Sequence, residues 1–415
     1  MSAPLLTILV PTRNRPELAR ECIQRLLADC PDEVQIIILE NSDVPELACN
    51  TVDFRNAVQV HSTAAALDMP SNWERGLSAA DGRYVAYIAD KDMFLPGALR
   101  KLVRELAAGN HEILCYRKAV YCQQRKVLFH YECTGRVVEE SLKPMLAHLF
   151  ANPDHNHSAP MVYNAAVSRE LLREIKGEQQ RLFIGNSPDV ITSILFAAHR
   201  TSYSQFDEMF AVAHSGEWSN GYSAVTRGRS GDIAQDFLRL FKTDPLAPLS
   251  VPACVPSGIL ECLLTAQKCY PAALESYAVS WQQYLRNVHD AIERLEIPDE
   301  EKRAELSQLT APQCIVPRAE YWKYRRSQRM HAVWNAVWHT PRRMLGNAKA
   351  GVLARAAWLR KSAQKERVPV SRVGTGSMSP ADSLSPPMWD GWHYRFQSQA
   401  HSIEEALAIA GRFNR

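Results

Sequence analysis

The chain has 415 residues, which is enough for two or three domains with sizeable cores. Hydrophobic residues make up 46% and charged residues 22%, as in ordinary globular proteins, and a net charge of +3 is too small to indicate a nucleic-acid-binding protein. The ten cysteines include no CxxC pair and no spacing typical of a zinc site, so we expect reduced thiols in the cytosol.

No segment of the sequence predicts export or a membrane span. The apolar run near the N-terminus is short and lacks a basic region before it and a cleavage site after it. No window approaches the roughly 18 uninterrupted apolar residues of a transmembrane helix. We therefore predict a cytoplasmic protein, with the inner face of the membrane as a second location to consider.

The first hundred residues predict strands that alternate with helices. We predict strands at 5–10, 34–39, 58–61 and 84–89, and helices at 15–27, 71–80 and 96–108. Because the strands are apolar on both faces, the sheet should be parallel and covered by helices. Ligands bind beyond the carboxyl ends of such strands, so the polar segments 11–14, 40–43 and 90–92 should line one crevice.

The pattern after residue 110 is mixed and then helical. We predict strands at 113–116 and 161–163, helices at 168–176 and 189–198, a mobile Gly/Ser-rich loop at 217–232, and a docking helix at 403–413 whose Ser402 and Glu405 form a capping box. The predicted organisation is an α/β domain at 1–235, a helical region with a basic and aromatic segment at 236–367, a linker at 368–389 and a docking segment at 390–415.

Asp90 and Asp92 flank Lys91 at the end of the fourth predicted strand. In an extended segment, residues two apart point the same way, so the two carboxylates can converge while Lys91 points elsewhere. A Mg²⁺ or Mn²⁺ ion would remove their repulsion and bridge them to a substrate phosphate. The alternative is a solvated turn, where aspartate is common, and so short a motif gives many false matches.

The order and spacing of these segments resemble the GT-A glycosyltransferases of the family 2 type. The resemblance lies in LTILVPTRNRPELARECIQRLL, VQIIILENSD and SNWERGLSAADGRYVAYIADKDMFLPGAL, and continues more weakly through SPDVITSILFAA and AVAHSGEWSNG to about residue 225. It implies a GT-A, Rossmann-like nucleotide-diphospho-sugar transferase domain, followed by a mainly helical C-terminal region that the resemblance does not cover.

The resemblance also implies an activity. A sugar would move from a nucleotide-diphosphate donor, a UDP-sugar being favoured, to a hydroxyl of a saccharide or lipid-linked acceptor. The transfer would be inverting and metal-dependent, and its setting would be the synthesis of bacterial surface polysaccharide or glycolipid.

Carried over to this sequence, the resemblance assigns residues to the nucleotide. Pro11, Thr12 and Arg13 would border it, and Glu40 and Asn41 end the strand at which the family contacts the base.

The resemblance assigns the metal site to the DKD segment. Asp90 would lie near the ribose and the metal, Asp92 would be the principal ligand, and His214 could complete the site, although a lone histidine is more often only hydrogen-bonded. Lys91 departs from the commoner D-D-D form. It would either lower the affinity for the metal or contact a phosphate directly.

An inverting transfer needs a general base, and Asp189 is the candidate. It follows Ser187 and Pro188 in the first predicted turn of a helix and matches the family's second acidic motif; the alternative role is helix capping. Arg227 and Arg229 could close over the diphosphate, or simply form a solvated basic loop.

Two further segments could serve the acceptor. Asp154, His155 and His157 could line its pocket. The basic, Trp-rich stretch at 317–367 resembles an interfacial segment that faces anionic lipid, and the alternatives are a helix packed on the first domain or a partner-binding helix.

Two other functions stay open from the sequence. A nucleotidyltransferase would need a Gly-rich loop after the first strand, and PTRNRPE contains no glycine. A non-catalytic scaffold is favoured by Lys91 and disfavoured by the retention of Asp90, Asp92 and Asp189.

Overall fold

The computed structural model of the protein describes residues 3–49, 58–153, 159–177, 180–185, 187–228, 231–240, 254–334 and 396–414. Among these, the residues up to Ile315 and those from 396 onward form one compact unit, and Val316 to Trp334 belong to a second. No helix within the described ranges combines the length and the apolarity that crossing a membrane requires. The predicted domain boundaries at 235, 367 and 389 stay predictions.

The first unit is built on a mixed sheet. Its described strands are β1 Leu6–Thr12, β2 Val34–Glu40, β3 Val58–Ser62, β4 Tyr84–Tyr87, β5 Asp92–Phe94, β6 Ile113–Cys122, β7 Val127–His130, β8 Val137–Ser141, β9 Ala165–Ser168, β10 Ser202–Ser215 and β11 Phe396–Gln399. The order is β11-β7-β6-β9-β4-β1-β2-β3, and β10 pairs with β5, β6 and β8. β4, β1, β2 and β3 are mutually parallel, which confirms the predicted parallel core.

Helices cover both faces of the sheet. They are α1 Pro16–Ala28, α2 Glu46–Cys49, α3 Met69–Ala79, α4 Ala98–Ala108, α5 Lys143–Ala151, α6 Arg169–Lys176, α7 Pro188–His199, α8 Asn220–Thr226, α9 Asp232–Leu240, α10 Val255–Cys269, α11 Pro271–Leu274, α12 Trp281–Glu293, α13 Asp299–Ser307, α14 Arg318–Trp334 and α15 Ile403–Arg412. α1, α4 and α15 share one apolar core with the sheet, and α3, α5, α6, α7 and α10 share the other.

Local sequence explains how the site-bearing elements begin and end. Pro16 begins α1 because proline lacks the amide hydrogen that the first helical turn leaves unpaired. Asp68 caps α3 by accepting a 2.7 Å hydrogen bond from the Ser71 amide. Gly97 precedes α4 at φ 76°, a left-handed conformation that glycine adopts without strain. These signals place the strand ends and helix starts along one edge of the parallel strands.

Two local expectations are wrong, and one strand is missing from the prediction. The predicted strand at 161–163 is a turn, and the nearby strand is β9. The predicted mobile loop at 217–232 contains α8 and the start of α9. The 14-residue strand β10 is absent from the predicted strands, because its polar residues interrupt the alternation that marks a strand.

The chain returns to the sheet at its C-terminal end. β11 adds to the edge of β7, and α15 buries Ile403, Ala406 and Leu407 in the core shared with α1 and α4. The Ser402 hydroxyl accepts a 3.2 Å hydrogen bond from the Glu405 amide, which confirms the predicted cap. Asn414 then binds the backbone of Met209 through both ends of its side-chain amide, at 3.0 and 2.5 Å.

Candidate active site

Asp90 is held by the end of β1. The Thr12 hydroxyl donates a 2.7 Å hydrogen bond to Asp90 Oδ2, and Arg15 Nε lies 3.0 Å from the same oxygen. Asp90 is 1% exposed, and burial raises the pKa of its carboxyl while Arg15 and Thr12 oppose that rise. Thr12 and Asp90, which were both predicted to lie at the strand ends, are therefore in direct contact.

Asp92 has a different partner. Its amide donates a 2.9 Å hydrogen bond to the Ala89 carbonyl, so residues 89–92 form a tight turn rather than the expected extended segment. Its carboxylate accepts a hydrogen bond from the Lys118 ammonium, which also lies 3.3 Å from the Tyr163 carbonyl oxygen. The two aspartates are thus neutralised by separate cations.

Lys91 and Arg15 fasten the segment after β10 to this turn. The Lys91 ammonium donates to the Ser219 hydroxyl, and Arg15 Nη1 donates a 3.0 Å hydrogen bond to the Trp218 carbonyl. Burial lowers the pKa of Lys91 to about 8, against the opposing effect of Asp92. A strip of two aspartates, two lysines and one arginine therefore lines the carboxyl ends of β1 and β4.

Asp189 lies in the first turn of α7, as predicted. Burial raises the pKa of its carboxyl, while backbone amides and then the charges of Lys118 and Lys91 oppose the rise. Burial also raises the pKa of Tyr163, and the next largest causes are the charges of Asp189, Asp90 and Asp92. The charges of the three predicted carboxylates therefore all act on the Tyr163 phenol, whose side chain is partly buried.

The residues that end β2 hold neighbouring loops. Glu40 is 1% exposed and accepts 2.9 Å hydrogen bonds from the Leu47 amide and the Ser62 hydroxyl. Asn41 pairs with both backbone polar groups of Leu67 at 2.8 Å. Both side chains lie at the predicted edge and shape it through these loops.

Arg13 joins β1 to α9. Its Nε lies 2.7 Å from Asp236 Oδ2, its Nη1 donates to the Asn41 carbonyl at 2.6 Å, and its Nη2 lies 2.9 Å from Asp43 Oδ1. The hydrogen bond from Arg13 lowers the pKa of Asp236 to about 2. Arg13 thus borders the crevice, next to Pro11 and Thr12, and connects it to a helix over the strand ends.

His214 lies next to Ala213, which pairs with Asp92 across β10 and β5. Because neighbouring strand residues alternate faces, the His214 ring points away from the face that Asp92 shares with Ala213. Its Nε2 lies 3.0 Å from Gln123 Oε1, and its ring contacts Tyr121 and Trp218.

The residues present do not fit the expected cation site. In the part of the chain that the structure describes, no three or more His, Cys, Asp or Glu side chains form a group that could hold a metal ion. One oxygen of Asp92 already accepts from Lys118. The roles of Asp90, Asp92 and His214 as metal ligands stay predictions without support from this geometry.

Other predicted residues lie away from the three carboxylates or outside the described ranges. Arg227 follows α8 and is exposed. Arg229 and residues 154–158, with Asp154, His155 and His157, lie outside the described residues, as does the basic stretch beyond Trp334. Their predicted roles stay predictions.

Several site residues were missed from the sequence. They are Arg15, Lys118, Tyr163, Ser219 and Asp236. One feature of the sequence could have indicated that Lys118 is a site residue. Arg117 and Lys118 stand together in the middle of the apolar run that forms β6. Charged residues inside a buried strand are rare unless they are paired.

Residues 7–176 match the family model described as glycosyl transferase family 2. Among the curated proteins, none matches this chain. Solved structures that align with it include S. aureus TarS, at 14% identity and a TM-score of 0.39 over 72% of this chain and 50% of that one. S. aureus TarS 1–349 in complex with UDP-GlcNAc aligns at 14% identity and a TM-score of 0.41, over 72% of this chain and 88% of that one. S. aureus TarS 1–349 in complex with UDP aligns at 14% identity and a TM-score of 0.38, over 74% of this chain and 91% of that one.

The aligned part of this chain spans half the length of the full TarS chain. The family match covers β1 to α6, the segment that contains the parallel strands and the turn at residues 89–92. This turn, which carries Asp90, Lys91 and Asp92, is called the DKD turn below. The similarity to the glycosyltransferases of family 2 therefore concerns residues 7–176 of this chain.

Proposed function

We propose that the protein transfers a sugar from a nucleotide-diphosphate donor to an acceptor hydroxyl, with inversion at the anomeric carbon. The observation that carries this proposal is the position of three acidic side chains in a chain that matches family 2 over residues 7–176. Asp90 and Asp92 lie at the strand ends, and Asp189 lies in the first turn of α7, from where its charge acts on the same Tyr163 side chain as theirs. Ligands of open α/β sheets bind at this edge.

Asp189 acts as the general base in this proposal. Its carboxylate takes the proton of the acceptor hydroxyl as that oxygen attacks the anomeric carbon, and the nucleoside diphosphate leaves from the opposite side. Its raised pKa strengthens it as a base relative to an ordinary aspartate, because a carboxylate with a higher pKa binds the proton more tightly. Asp189 lies in the first turn of α7, and the apolar residues of this helix pack in the core that it shares with α10.

The leaving diphosphate needs positive charge. Arg15 and Lys91 supply it from the edge of the crevice, where both now bind the backbone or hydroxyl of the 218–219 segment. A bound Mg²⁺ or Mn²⁺ would add Lewis-acid neutralisation of the same group. The described side chains do not form a cation site of three ligands, so no step of the transfer is assigned to the metal.

The nucleotide would lie between the ends of β1 and β2. Pro11, Thr12 and Arg13 border this position, and Glu40 and Asn41 hold the loops that wall it. A UDP-sugar is the proposed donor. The preference for uridine comes from the family resemblance.

The acceptor is proposed to be a saccharide or a lipid-linked glycan of surface polysaccharide or glycolipid synthesis, reached from the cytoplasmic face of a membrane. α14 supports this setting, because Trp322 is 55% exposed and Met330 is 73% exposed on a helix that also carries Arg325, Arg326 and Arg329. Aromatic and basic side chains on one exposed helix are typical of peripheral membrane contact.

Turnover and binding together test the proposal. Thermal shift with the diphosphates of uridine, guanosine, adenosine, cytidine and thymidine, with and without Mn²⁺, identifies the nucleotide, and the matching sugar nucleotides are then assayed for transfer. Asp189→Asn should abolish transfer and leave nucleotide binding intact. Asp299→Asn is the control, because Asp299 also occupies a first helical turn but lies on α13, where it is exposed.

Two outcomes would contradict the proposal. Asp189→Asn with undiminished turnover would remove the proposed base. Joint loss of transfer and nucleotide binding in that variant, with Asp299→Asn normal, would mean that Asp189 only supports the structure.

A further inference from the structure

Lys118 reaches the DKD turn from the interior of β6. The β6–β10 ladder changes register twice between Phe206 and Ala211, and Lys118 comes to lie opposite Ala211. Such irregularities re-aim side chains next to functional sites. Ala211 pairs in turn with Phe94, two residues after Asp92 on β5, so Lys118 and Asp92 share one face of the sheet.

The contact between Lys118 and Asp92 is largely shielded from solvent. The two side chains are 11% and 3% exposed, and the ammonium donates to Asp92 Oδ2. Lys118 also contacts Tyr163, through its carbonyl oxygen at 3.3 Å and over its ring at 5.6 Å. A buried charge with this set of partners has a fixed position, unlike a lysine on a solvated surface.

The position of this ammonium bears on the metal. A divalent cation at a two-aspartate turn needs carboxylate oxygens that are free to coordinate it. Here Lys118 is bound to Asp92, Arg15 and Thr12 are bound to Asp90, and no third acidic, histidine or cysteine side chain joins them within the described residues. The cationic side chains of Lys118 and Arg15 therefore contact the two carboxylates that a metal ion would need as ligands.

We propose that Lys118 takes the place of the divalent cation at Asp92, so that this chain binds a nucleoside diphosphate without a metal ion. The inference rests on the proposed function, because it concerns the same donor site. Lys118 neutralises Asp92, and Arg15 and Lys91 remain on the crevice side to meet the diphosphate. Lys118 is accordingly a positioning residue that sets the metal requirement of the site.

Nucleotide affinity with and without metal tests this role. Isothermal titration of the full chain with the five nucleoside diphosphates is carried out in EDTA and then in Mn²⁺. The wild-type chain should bind one of them in EDTA, and Mn²⁺ should change that affinity little. Lys118→Met should weaken binding in EDTA by about 10- to 100-fold, because the uncompensated Asp92 carboxylate would repel the diphosphate.

The variant should also gain a response to metal. In Lys118→Met the Asp92 carboxylate is freed, so Mn²⁺ should restore nucleotide affinity, and electron paramagnetic resonance should detect Mn²⁺ bound to the variant without nucleotide. The double variant Lys118→Met/Asp92→Asn removes both charges, which avoids an unpaired buried carboxylate, and Mn²⁺ should not rescue it. A merely structural role for Lys118 would not produce this difference between the single and double variants.

Lys101→Met is the matched control. Lys101 also pairs with a carboxylate, that of Glu208, but it lies on α4 away from the DKD turn and is 42% exposed. The Lys101→Met variant should bind the nucleotide as the wild-type chain does, in both EDTA and Mn²⁺.

The outcomes separate this inference from the proposed function. Wild-type binding that requires Mn²⁺, together with unchanged behaviour of Lys118→Met, would overturn the inference and leave the transferase proposal standing. Absence of binding by any of the five nucleotides, with or without Mn²⁺, would overturn both.

Discussion

Arg13 and Asp236 are joined by a 2.7 Å ion pair, although 223 positions of sequence separate them. Arg13 directly follows β1, and Asp236 lies on α9, a helix with no buried residue of its own. Asp43 binds the same guanidinium and lies 3.7 Å from Arg239 on α9. Charged contacts at the strand ends, rather than apolar burial, therefore hold α9 in place.

This relationship predicts a pH-dependent effect of Asp236→Asn. The pKa of Asp236 is lowered to about 2 in the folded chain, below the value of about 3.9 in an unfolded one. The ion pair therefore stabilises the fold above pH 4 and loses this effect as the pH falls toward 2. We expect the variant to lose about 1 kcal/mol of stability at pH 7, a value discounted for solvent screening at a partly exposed pair.

Urea unfolding at several pH values between 7 and 3 measures this effect. The difference between the wild-type chain and Asp236→Asn should shrink as the pH falls. Asp299→Asn serves as the control, because Asp299 is an exposed aspartate on α13. A difference that stays constant with pH would show that the carboxylate charge is not what holds α9.

Asp189 gives a prediction of opposite sign. Burial raises the pKa of its carboxyl in the folded chain, so the charged form is less favourable there than in the unfolded chain. This group destabilises the fold above its folded pKa and has no effect below its unfolded pKa. Asp189→Asn should therefore be more stable than the wild-type chain at pH 7, and the gain should vanish in acid.

Thermal unfolding at pH 7 and pH 4 checks this gain, beside the loss of turnover in the same variant. A group that makes the protein less stable while enabling its chemistry is typical of active sites. Destabilisation by Asp189→Asn at pH 7 would instead indicate that its carboxylate is needed for the cap of α7.

The sequence was sufficient for the features that depend on local pattern. The apolar runs that became β1, β2 and β4 are buried on both faces, and a parallel sheet covered by helices is the arrangement that buries them. The position of Asp189 in the first turn of a helix could be predicted because Ser187 and Pro188 mark a helix start.

The sequence was insufficient where the site depends on long-range register. Lys118 meets Asp92 because β6 and β10 pair with irregular register, and nothing near either residue encodes that offset. The turn at Asp92 was missed for a related reason. β5 is only three residues long and forms by pairing with β10, a strand that the local pattern did not reveal in full.

The C-terminal docking segment provides a third prediction. The Asn414 side chain donates to the Met209 carbonyl and accepts from the Met209 amide, so it completes the backbone hydrogen bonding of β10. Asn414→Ala should leave these polar groups unpaired and destabilise the protein by about 1–3 kcal/mol.

Urea unfolding measures this loss against Arg412→Ala, which alters an exposed side chain two residues earlier. The control should change stability by less than about 0.5 kcal/mol. Equal and small effects of the two variants would mean that water replaces the Asn414 amide without loss.

The last prediction concerns the hydrogen bond from Thr12 to Asp90. Thr12→Val keeps the shape of the side chain and removes the hydroxyl, so a buried carboxylate loses one of its two partners and only Arg15 is left. We expect the variant to be about 1–3 kcal/mol less stable, the range for an unsatisfied buried acceptor, and to bind the nucleoside diphosphate more weakly because the DKD turn loses its link to β1. Thr12→Ser restores the donor and should recover both properties, as measured by urea unfolding and isothermal titration. Loss of binding in Thr12→Ser, which keeps the hydroxyl, as well as in Thr12→Val would mean that the hydrogen bond from Thr12 to Asp90 does not explain the effect on binding.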